Sequence, residues 1–184
     1  YLVMDIIFEL DKLEGPLTNP VLTIGNFDGV HKGHNVLFNK VKERAEAISG
    51  QSAVMTFDPH PIKVMRPGNG PPLITSATQK LDLIADAGID IIFCLPFTHE
   101  FSSIPARDFV RKILVEKIGV KELVVGYDYA FGFKRKGNIE LLQEMGDRLG
   151  FKVHEVSQIH LDSTLVSSTT IRNLLQEGDV PGAN

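Results

Sequence analysis

The sequence has little of what marks three large classes of protein. Its single cysteine, Cys94, rules out an internal disulfide, and its place in the apolar run 90–95 favours a buried, inert thiol. No apolar run approaches the roughly 20 residues that a membrane-spanning helix needs. The formal net charge is −4, from 19 Lys and Arg against 23 Asp and Glu, which argues against a general nucleic-acid binder.

A secretory signal is also lacking, because the first residues have neither a basic flank nor a small-residue cleavage site. We therefore expect a cytoplasmic protein. Hydrophobic residues make up 43% and charged residues 23% of the 184 positions, as in ordinary globular proteins. This length is enough for one domain with a sizeable core.

Short runs rich in Val, Ile and Leu alternate with segments of helical periodicity. This order predicts an α/β protein with a mainly parallel sheet of five or six strands, covered by helices on both faces. The predicted strands are 21–25, 53–57, 90–95, 122–126 and 152–157, with a further extended piece at 159–166. The predicted helices are 34–49, 76–88, 105–118, 138–149 and 167–177, and the segment 66–72 is predicted to be irregular.

The stretch 25–34, GNFDGVHKGH, lies between the first of these strands and the first helix. A glycine-rich turn there presents free backbone N–H groups and the positive end of a helix dipole, which suits a phosphate group. His31 and His34 can each donate a hydrogen bond to a phosphoryl oxygen. The stretch lacks the Gly-Lys-Ser/Thr ending of a P-loop and the GxGxxG spacing of a dinucleotide fold. A plain turn with two surface histidines remains the alternative.

Three more segments with unusual chemistry follow predicted strands. FDPHP at 57–61 is either a rigid turn or one wall of a pocket for a planar ring, and its His60 can donate to a phosphate. The segment 126–137 combines aromatic rings with cations, which suits a planar phosphorylated ligand, although its rings can also simply pack locally. VSSTTIR at 166–172 either caps a helix or holds an anion there, with Arg172 one turn inside. Ligands of such sheets bind beyond the carboxyl ends of the strands, so we expect these segments to converge.

Taken in this order, the four segments resemble the adenylyltransferase (FAD synthetase) module of the prokaryotic bifunctional riboflavin kinase/FMN adenylyltransferase family. HxGH alone is shared across a superfamily of nucleotidyltransferases, whereas the four segments together are specific. The resemblance covers about residues 21–179. It implies a Rossmann-like nucleotidyltransferase fold and makes residues 1–184 an FMN adenylyltransferase domain.

The resemblance also implies the reaction and the residues that serve it. ATP and FMN are the implied substrates, FAD and pyrophosphate the products, and Mg²⁺ bridges phosphates, with no protein ligand for the metal identified. The implied catalytic residues are His31, His34 and Arg172. The implied ATP-binding residues are Gly25, Asn26, Phe27, Asp28, His31, His34, Gly126, Ser168, Thr169 and Arg172. The implied flavin-binding residues are Phe57, Pro59, His60, Pro61, Asp128 and Phe131.

Two departures from the family pattern and two other functions are part of this interpretation. Tyr129 stands where the family usually has Phe, and the family's C-terminal riboflavin kinase module is absent from this chain, so kinase activity is not expected. A nucleotidyltransferase with another phosphorylated acceptor, such as phosphopantetheine or nicotinamide mononucleotide, is one alternative. A non-catalytic nucleotide-binding module is the other. No nucleic-acid or membrane partner is expected.

Overall fold

A computed structural model describes residues 5–13, 15–161 and 164–183 of the chain. In chain order its strands are β1 Asp5–Ile7, β2 Val21–Ile24, β3 Ser52–Phe57, β4 Ile91–Leu95, β5 Glu122–Gly126, β6 Lys152–Val156, β7 His160–Leu161 and β8 Thr164–Leu165. Its α-helices are α1 Lys32–Ala47, α2 Pro61–Met65, α3 Ala77–Asp86, α4 His99–Ser102, α5 Ala106–Asp108, α6 Ile139–Leu149, α7 Ser168–Gln176 and α8 Val180–Ala183. Short 3-10 helices lie at Leu10–Lys12 and Phe133–Arg135, and α5 continues as a π-helix over Phe109–Lys117.

Six strands form one sheet in the order β1-β4-β3-β2-β5-β6, and all neighbouring pairs run parallel. The predicted α/β class and the parallel sheet are therefore confirmed. The five predicted strands agree with β2 to β6 to within a residue at each end. The sixth place is taken by β1, which pairs with β4 at the sheet edge.

Both faces of the sheet are covered, as the apolar runs predict. Leu22 and Met55 point to one face, where they pack with buried residues of the π-helix and of α6 such as Leu114 and Leu142. Val21 and Val54, one position away on the same strands, belong to a second buried cluster with Phe38 of α1 and Ile84 of α3. Successive side chains of each strand therefore point alternately into two separate hydrophobic cores, and this is why these strands are apolar throughout.

The connections decide where a site can form. The chain runs outward from β2 through β3 to β4 and then crosses back to place β5 on the other side of β2. The strand order thus reverses at β2, and ligands of open α/β sheets bind at such a switch point. Because β3, β2 and β5 are neighbours, the loops that follow them lie side by side at one edge.

Several local features differ from the sequence prediction. In the extended piece predicted at 159–166, the short strands β7 and β8 pair antiparallel, and residues 162 and 163 lie outside the described part. The predicted helix 105–118 is mostly π-helical. The helices α2, α4 and α8 and the strand β1 were not predicted, because three to five residues are too few to show a period. In the described ranges no helix is long and apolar enough to cross a membrane.

Candidate active site

The turn between β2 and α1 has an unusual backbone. Phe27 and Val30 have φ values of 49° and 38°, and Gly29 between them has 86°. Glycine adopts this left-handed region freely, but Phe27 and Val30 each hold it at a cost of about 1–3 kcal/mol, which surrounding contacts must offset. Both of these side chains are buried in the core under the turn. Strained residues of this kind cluster at ligand-binding sites.

His31 and His34 stack on each other at the start of α1. Their ring centroids are 3.6 Å apart with the planes 18° from parallel, and the Phe27 ring stands edge-on to His34. His31 caps α1, because its Nδ1 accepts the backbone N–H of His34 at 3.3 Å. A Cβ on Gly33 would lie 3.1 Å from that Nδ1, so glycine leaves room for the ring to fold back. An acceptor Nδ1 places the proton of neutral His31 on Nε2.

Burial keeps both imidazoles neutral. Burial lowers the pKa of His31 to about 4, and burial together with the neighbouring His31 lowers the pKa of His34 well below its ordinary value. The Nδ1 atom of His34 is buried and has no hydrogen-bond partner among the described residues. At pH 7 the pair therefore offers ring N–H groups without carrying a positive charge.

Asp28 occupies the centre of the turn and is buried. Its carboxylate accepts the backbone N–H groups of Ile74 at 3.0 Å and Thr75 at 3.1 Å, and Nη2 of Arg172 at 2.6 Å. Burial raises the pKa of the Asp28 carboxyl, but the hydrogen bonds from Arg172, Thr75 and Ile74 outweigh it, and the net pKa lies below the ordinary value. The side chain is therefore an anion at neutral pH.

The first turn of α7 packs against the same place. Ser167 caps this helix by accepting the N–H of Thr170, and the Ser168 hydroxyl donates to the Asp28 carbonyl at 2.9 Å. Thr169 is exposed at the helix start. The structure thus brings Asp28, His31, His34, Ser168 and Arg172 together, although Ser168 and Arg172 lie 140 and more positions after Asp28.

The end of β3 forms a second wall beside this turn. Asn26, Asp28, Phe57 and His60 line a small cavity of about 20 Å³. The peptide bond Asp58–Pro59 is cis, and His60 then caps α2, which begins at Pro61. Burial lowers the pKa of His60.

The predicted flavin residues of the loop after β5 have two kinds of surroundings. Phe131 is only 8% exposed, stacks on Tyr129 with centroids 5.5 Å apart and contacts Phe109, so it belongs to the core. Asp128 is exposed and its carboxylate lies near Gly126 at the end of β5. Beside this loop, an open cavity of about 320 Å³ lies between α4 and the π-helix, lined by Ile104, Pro105 and Ile113 among others.

Four residues of the site escaped the sequence prediction. Pro72, Ile74 and Thr75 contribute backbone groups or a hydroxyl to Arg172, Asp28 and Gly29, and the sequence carries no signal for this. Lys80 is 6% exposed, and its ammonium donates to the Phe57 carbonyl at 2.8 Å. A signal for Lys80 did exist, because it lies four positions before the inward-facing Ile84 on α3.

Known proteins resemble the chain over nearly its whole length. Residues 15–170 match the family model described as FAD synthetase. The bifunctional riboflavin kinase/FMN adenylyltransferases of Buchnera aphidicola (strain APS) and Pseudomonas fluorescens are 36% and 37% identical over 96% of this chain. That of Escherichia coli K12 is 34% identical over 91%. The chain spans just over half the length of these curated relatives, 53–56%.

Two solved structures share the fold. A Streptococcus pneumoniae structure described as a macrolide-efflux protein superposes with a TM-score of 0.84 at 26% identity, covering 98% of this chain and 60% of its own. Pantothenate synthetase from Thermus thermophilus gives a TM-score of 0.56 at 16% identity, covering 97% of this chain and 78% of its own. The second likeness shows a Rossmann-type fold and no more. The family model, the identities and the four motifs agree, and this chain belongs to the FAD synthetase family.

Proposed function

We propose that this chain is an FMN adenylyltransferase, which transfers the AMP part of ATP to the phosphate of FMN and releases pyrophosphate. The observation that carries the proposal is the convergence of the neutral His31/His34 pair, Arg172 and the start of α7 on the single turn 25–34. These are anion-binding groups at the switch point of the sheet, in a chain of the FAD synthetase family.

The ATP phosphates are assigned to the turn and the start of α7. The ring N–H groups of His31 and His34, the free N–H groups at the start of α7 and the Arg172 fork are donors of the kind that phosphate oxygens accept. Gly25 to Asp28, Gly126, Ser168 and Thr169 complete the proposed ATP site. Neutral imidazoles donate hydrogen bonds without having to lose or gain a proton at neutral pH.

The proposed step is an in-line substitution at the α-phosphorus. An oxygen of the FMN phosphate forms the new P–O bond, while the bond from the α-phosphorus to the bridging oxygen breaks and its electron pair leaves with pyrophosphate. No side chain needs to act as a covalent nucleophile. The side chains hold the two phosphates in line and stabilise the charge that builds up on the oxygens.

The flavin is assigned to the other side of the edge, near Phe57, Pro59, His60 and Pro61 and the loop of Asp128 and Phe131. Because Phe131 is buried, its proposed contribution is to support the shape of the loop from below. Asp128 and His60 are more accessible and are the polar members of this set.

The metal is assigned to the substrate. No group of three or more His, Cys, Asp or Glu side chains suited to a metal ion is found in the part of the chain that the structure describes. Mg²⁺ that arrives on the ATP phosphates would neutralise their charge and need few protein ligands. Asp28 is not free for this task, because its oxygens accept from Arg172, Ile74 and Thr75.

One assay distinguishes the proposed function from its two alternatives, a nucleotidyltransferase with another acceptor and a non-catalytic nucleotide-binding module. Purified protein is incubated with ATP, Mg²⁺ and either FMN, phosphopantetheine or nicotinamide mononucleotide, and products are separated by chromatography. The proposal expects FAD and pyrophosphate with FMN alone. Product with another acceptor indicates a different nucleotidyltransferase, and ATP binding without pyrophosphate release indicates a non-catalytic module. A cytoplasmic location and a riboflavin kinase module in the natural protein remain predictions.

The same assay tests the histidine pair. We expect His34→Ala to lower turnover about 100- to 1,000-fold, the typical loss when one donor to a developing oxyanion is removed. His99→Ala is the matched control, because His99 is exposed on α4 and outside the four motifs. Full turnover by His34→Ala, or an equal loss in both variants, would contradict the assignment.

A further inference from the structure

Asp28 and Arg172 form a buried ion pair at the centre of the candidate site. The two side chains are 4% and 13% exposed, and Nη2 of Arg172 donates to Oδ2 of Asp28 at 2.6 Å. Nε of the same guanidinium donates to the Pro72 carbonyl at 3.0 Å. Nη1 makes no hydrogen bond with the residues that the structure describes. One edge of the fork is thus held by the protein, and the other edge is open.

The carboxylate also joins three segments that are distant in sequence. It accepts N–H groups from Ile74 and Thr75 and pairs with Arg172, while its own backbone carbonyl accepts from Ser168. The turn in which Asp28 sits contains two strained residues, Phe27 and Val30. Contacts from outside the turn are needed to hold such a backbone, and Asp28 provides four of them.

The pair lies between the two histidine-bearing loops. Asp28 lines the same small cavity as His60 and lies three positions before His31 in the same turn, so the pair is close to both histidines. A free arginine side chain loses rotamer entropy when it is fixed, and a guanidinium that is already held in place avoids that loss on binding. The position and the geometry both favour a guanidinium aimed in advance at an anion.

We propose that Asp28, counted above among the residues of the ATP site, is a positioning residue there, which acts on ATP through Arg172 and not through a contact of its own. By binding one edge of the guanidinium, Asp28 turns the open edge and the start of α7 toward the phosphates. This deepens the proposed function and rests on it, since the anion in question is the ATP triphosphate. The Asp28 charge also repels the phosphates. If positioning dominates, removing this charge weakens the use of ATP; if repulsion dominates, removing it strengthens ATP binding.

The test is a double-mutant cycle of Asp28→Asn and Arg172→Gln, read as kcat/KM for ATP with FMN saturating. Asparagine keeps the size of the side chain but removes the charge and one acceptor. We expect Asp28→Asn alone to lower kcat/KM about 10- to 100-fold, as for a lost charge-assisted hydrogen bond. In the Arg172→Gln background we expect less than about a threefold further loss, because the residue through which Asp28 acts is already gone.

A matched control separates positioning from stability. Glu122→Gln also breaks a buried pair, since Glu122 is 4% exposed and accepts from Arg44 and His154, but it lies at the amino end of β5, away from the site. We expect this variant to unfold at a lower temperature with unchanged kcat/KM. If Asp28→Asn behaves in the same way, Asp28 is only structural. If its losses multiply with those of Arg172→Gln, or if it binds ATP more tightly than wild type, the proposal is wrong.

Two further measurements keep the test decisive. If Asp28→Asn does not fold, Arg172→Lys replaces it, because lysine keeps the charge but not the fork; near wild-type turnover of this variant would contradict the proposal. If the wild-type chain makes no FAD, the proposed function has failed, and ATP binding is followed by calorimetry in the same four proteins. If the losses of ATP affinity in Asp28→Asn and Arg172→Gln do not multiply in the double variant, the positioning role of Asp28 is still supported. If the wild-type chain does not bind ATP, both proposals are wrong.

Discussion

Several ionisable side chains at the carboxyl edge of the sheet are buried. Burial lowers the pKa values of His31, His34, His60 and Lys80 below their ordinary values. Asp28 and Arg172 form an ion pair, and each of these charges is stabilised by the other. Because burial penalises charge unless a partner is present, the site must present its histidines as neutral donors and its one arginine already paired.

This arrangement predicts how stability depends on pH. The unfolded chain binds a proton at His31 near pH 6.5, whereas the folded chain binds it only near pH 4. Between these values the unfolded state holds more protons, so the free energy of unfolding falls as pH falls. We expect His31 to contribute a slope of up to about 1.4 kcal/mol per pH unit in this window, and His34, whose pKa is also lowered by burial, to act in the same direction. Urea unfolding at pH 7, 6, 5 and 4.5 measures it.

The control for that measurement is the double variant His31→Gln/His34→Gln. Glutamine keeps a polar side chain but does not titrate, so the loss of stability between pH 6.5 and 4 should be smaller in this variant than in wild type. An identical pH dependence in both proteins would mean that other groups cause it.

Individual elements are joined at points where only glycine fits. Gly132 has a φ of 71°, and a Cβ built on it would lie 2.6 Å from the Cα of Ala106 at the start of α5. Its neighbour Phe133 donates its N–H to the Ile104 carbonyl. The aromatic loop after β5 is therefore packed directly against the chain that leads into α5.

We expect Gly132→Ala to destabilise the fold, because the substitution adds both backbone strain and a collision with backbone atoms. Gly68→Ala is the control, since Gly68 has a similar φ of 75° but no atom within 4 Å of the position that a Cβ would take. Strain is common to both variants, so the collision should make Gly132→Ala less stable by about 1–3 kcal/mol more. Chemical denaturation of the two variants measures the difference. Equal losses in the free energy of unfolding would show that the loop can shift away from α5 and so avoid the collision.

The whole molecule presents its four motifs at one edge of one sheet. Three of them follow the adjacent strands β3, β2 and β5, and the fourth reaches the same turn through Ser168 and Arg172. A single site of this kind is complementary to one transition state. Attack of a flavin phosphate on the α-phosphorus of ATP differs in geometry from attack of a riboflavin hydroxyl on the γ-phosphorus.

We therefore expect the 184-residue chain to form FAD from FMN, ATP and Mg²⁺ but to form neither FMN nor FAD from riboflavin, ATP and Mg²⁺. Chromatography of the two reactions under identical conditions measures this, with a mixture of riboflavin and FMN as the control for inhibition by riboflavin. FMN made from riboflavin by the purified chain would show that this site, or another on the chain, also transfers a γ-phosphoryl group.

Much of this protein follows from local sequence. The apolar runs and their helical neighbours determine β2 to β6 and the parallel sheet, because the period of a strand or helix is written in consecutive residues. The helix caps Ser76, Asn138 and Ser167 likewise act within one turn of their own helices. The position of His31 and His34 at the start of a helix also follows from consecutive residues, those of the motif 25–34.

Tertiary structure alone decided which distant groups meet. Arg172 pairs with Asp28 across 144 positions, and the backbone of Ile74 and Thr75 completes the pairing, although no sequence pattern links these residues. Lys80 and Phe131 are both buried, which also depends on the elements that pack around them. Burial and hydrogen-bond geometry depend on where separate elements come to rest, and that is set by the packing of the whole sheet and its helices.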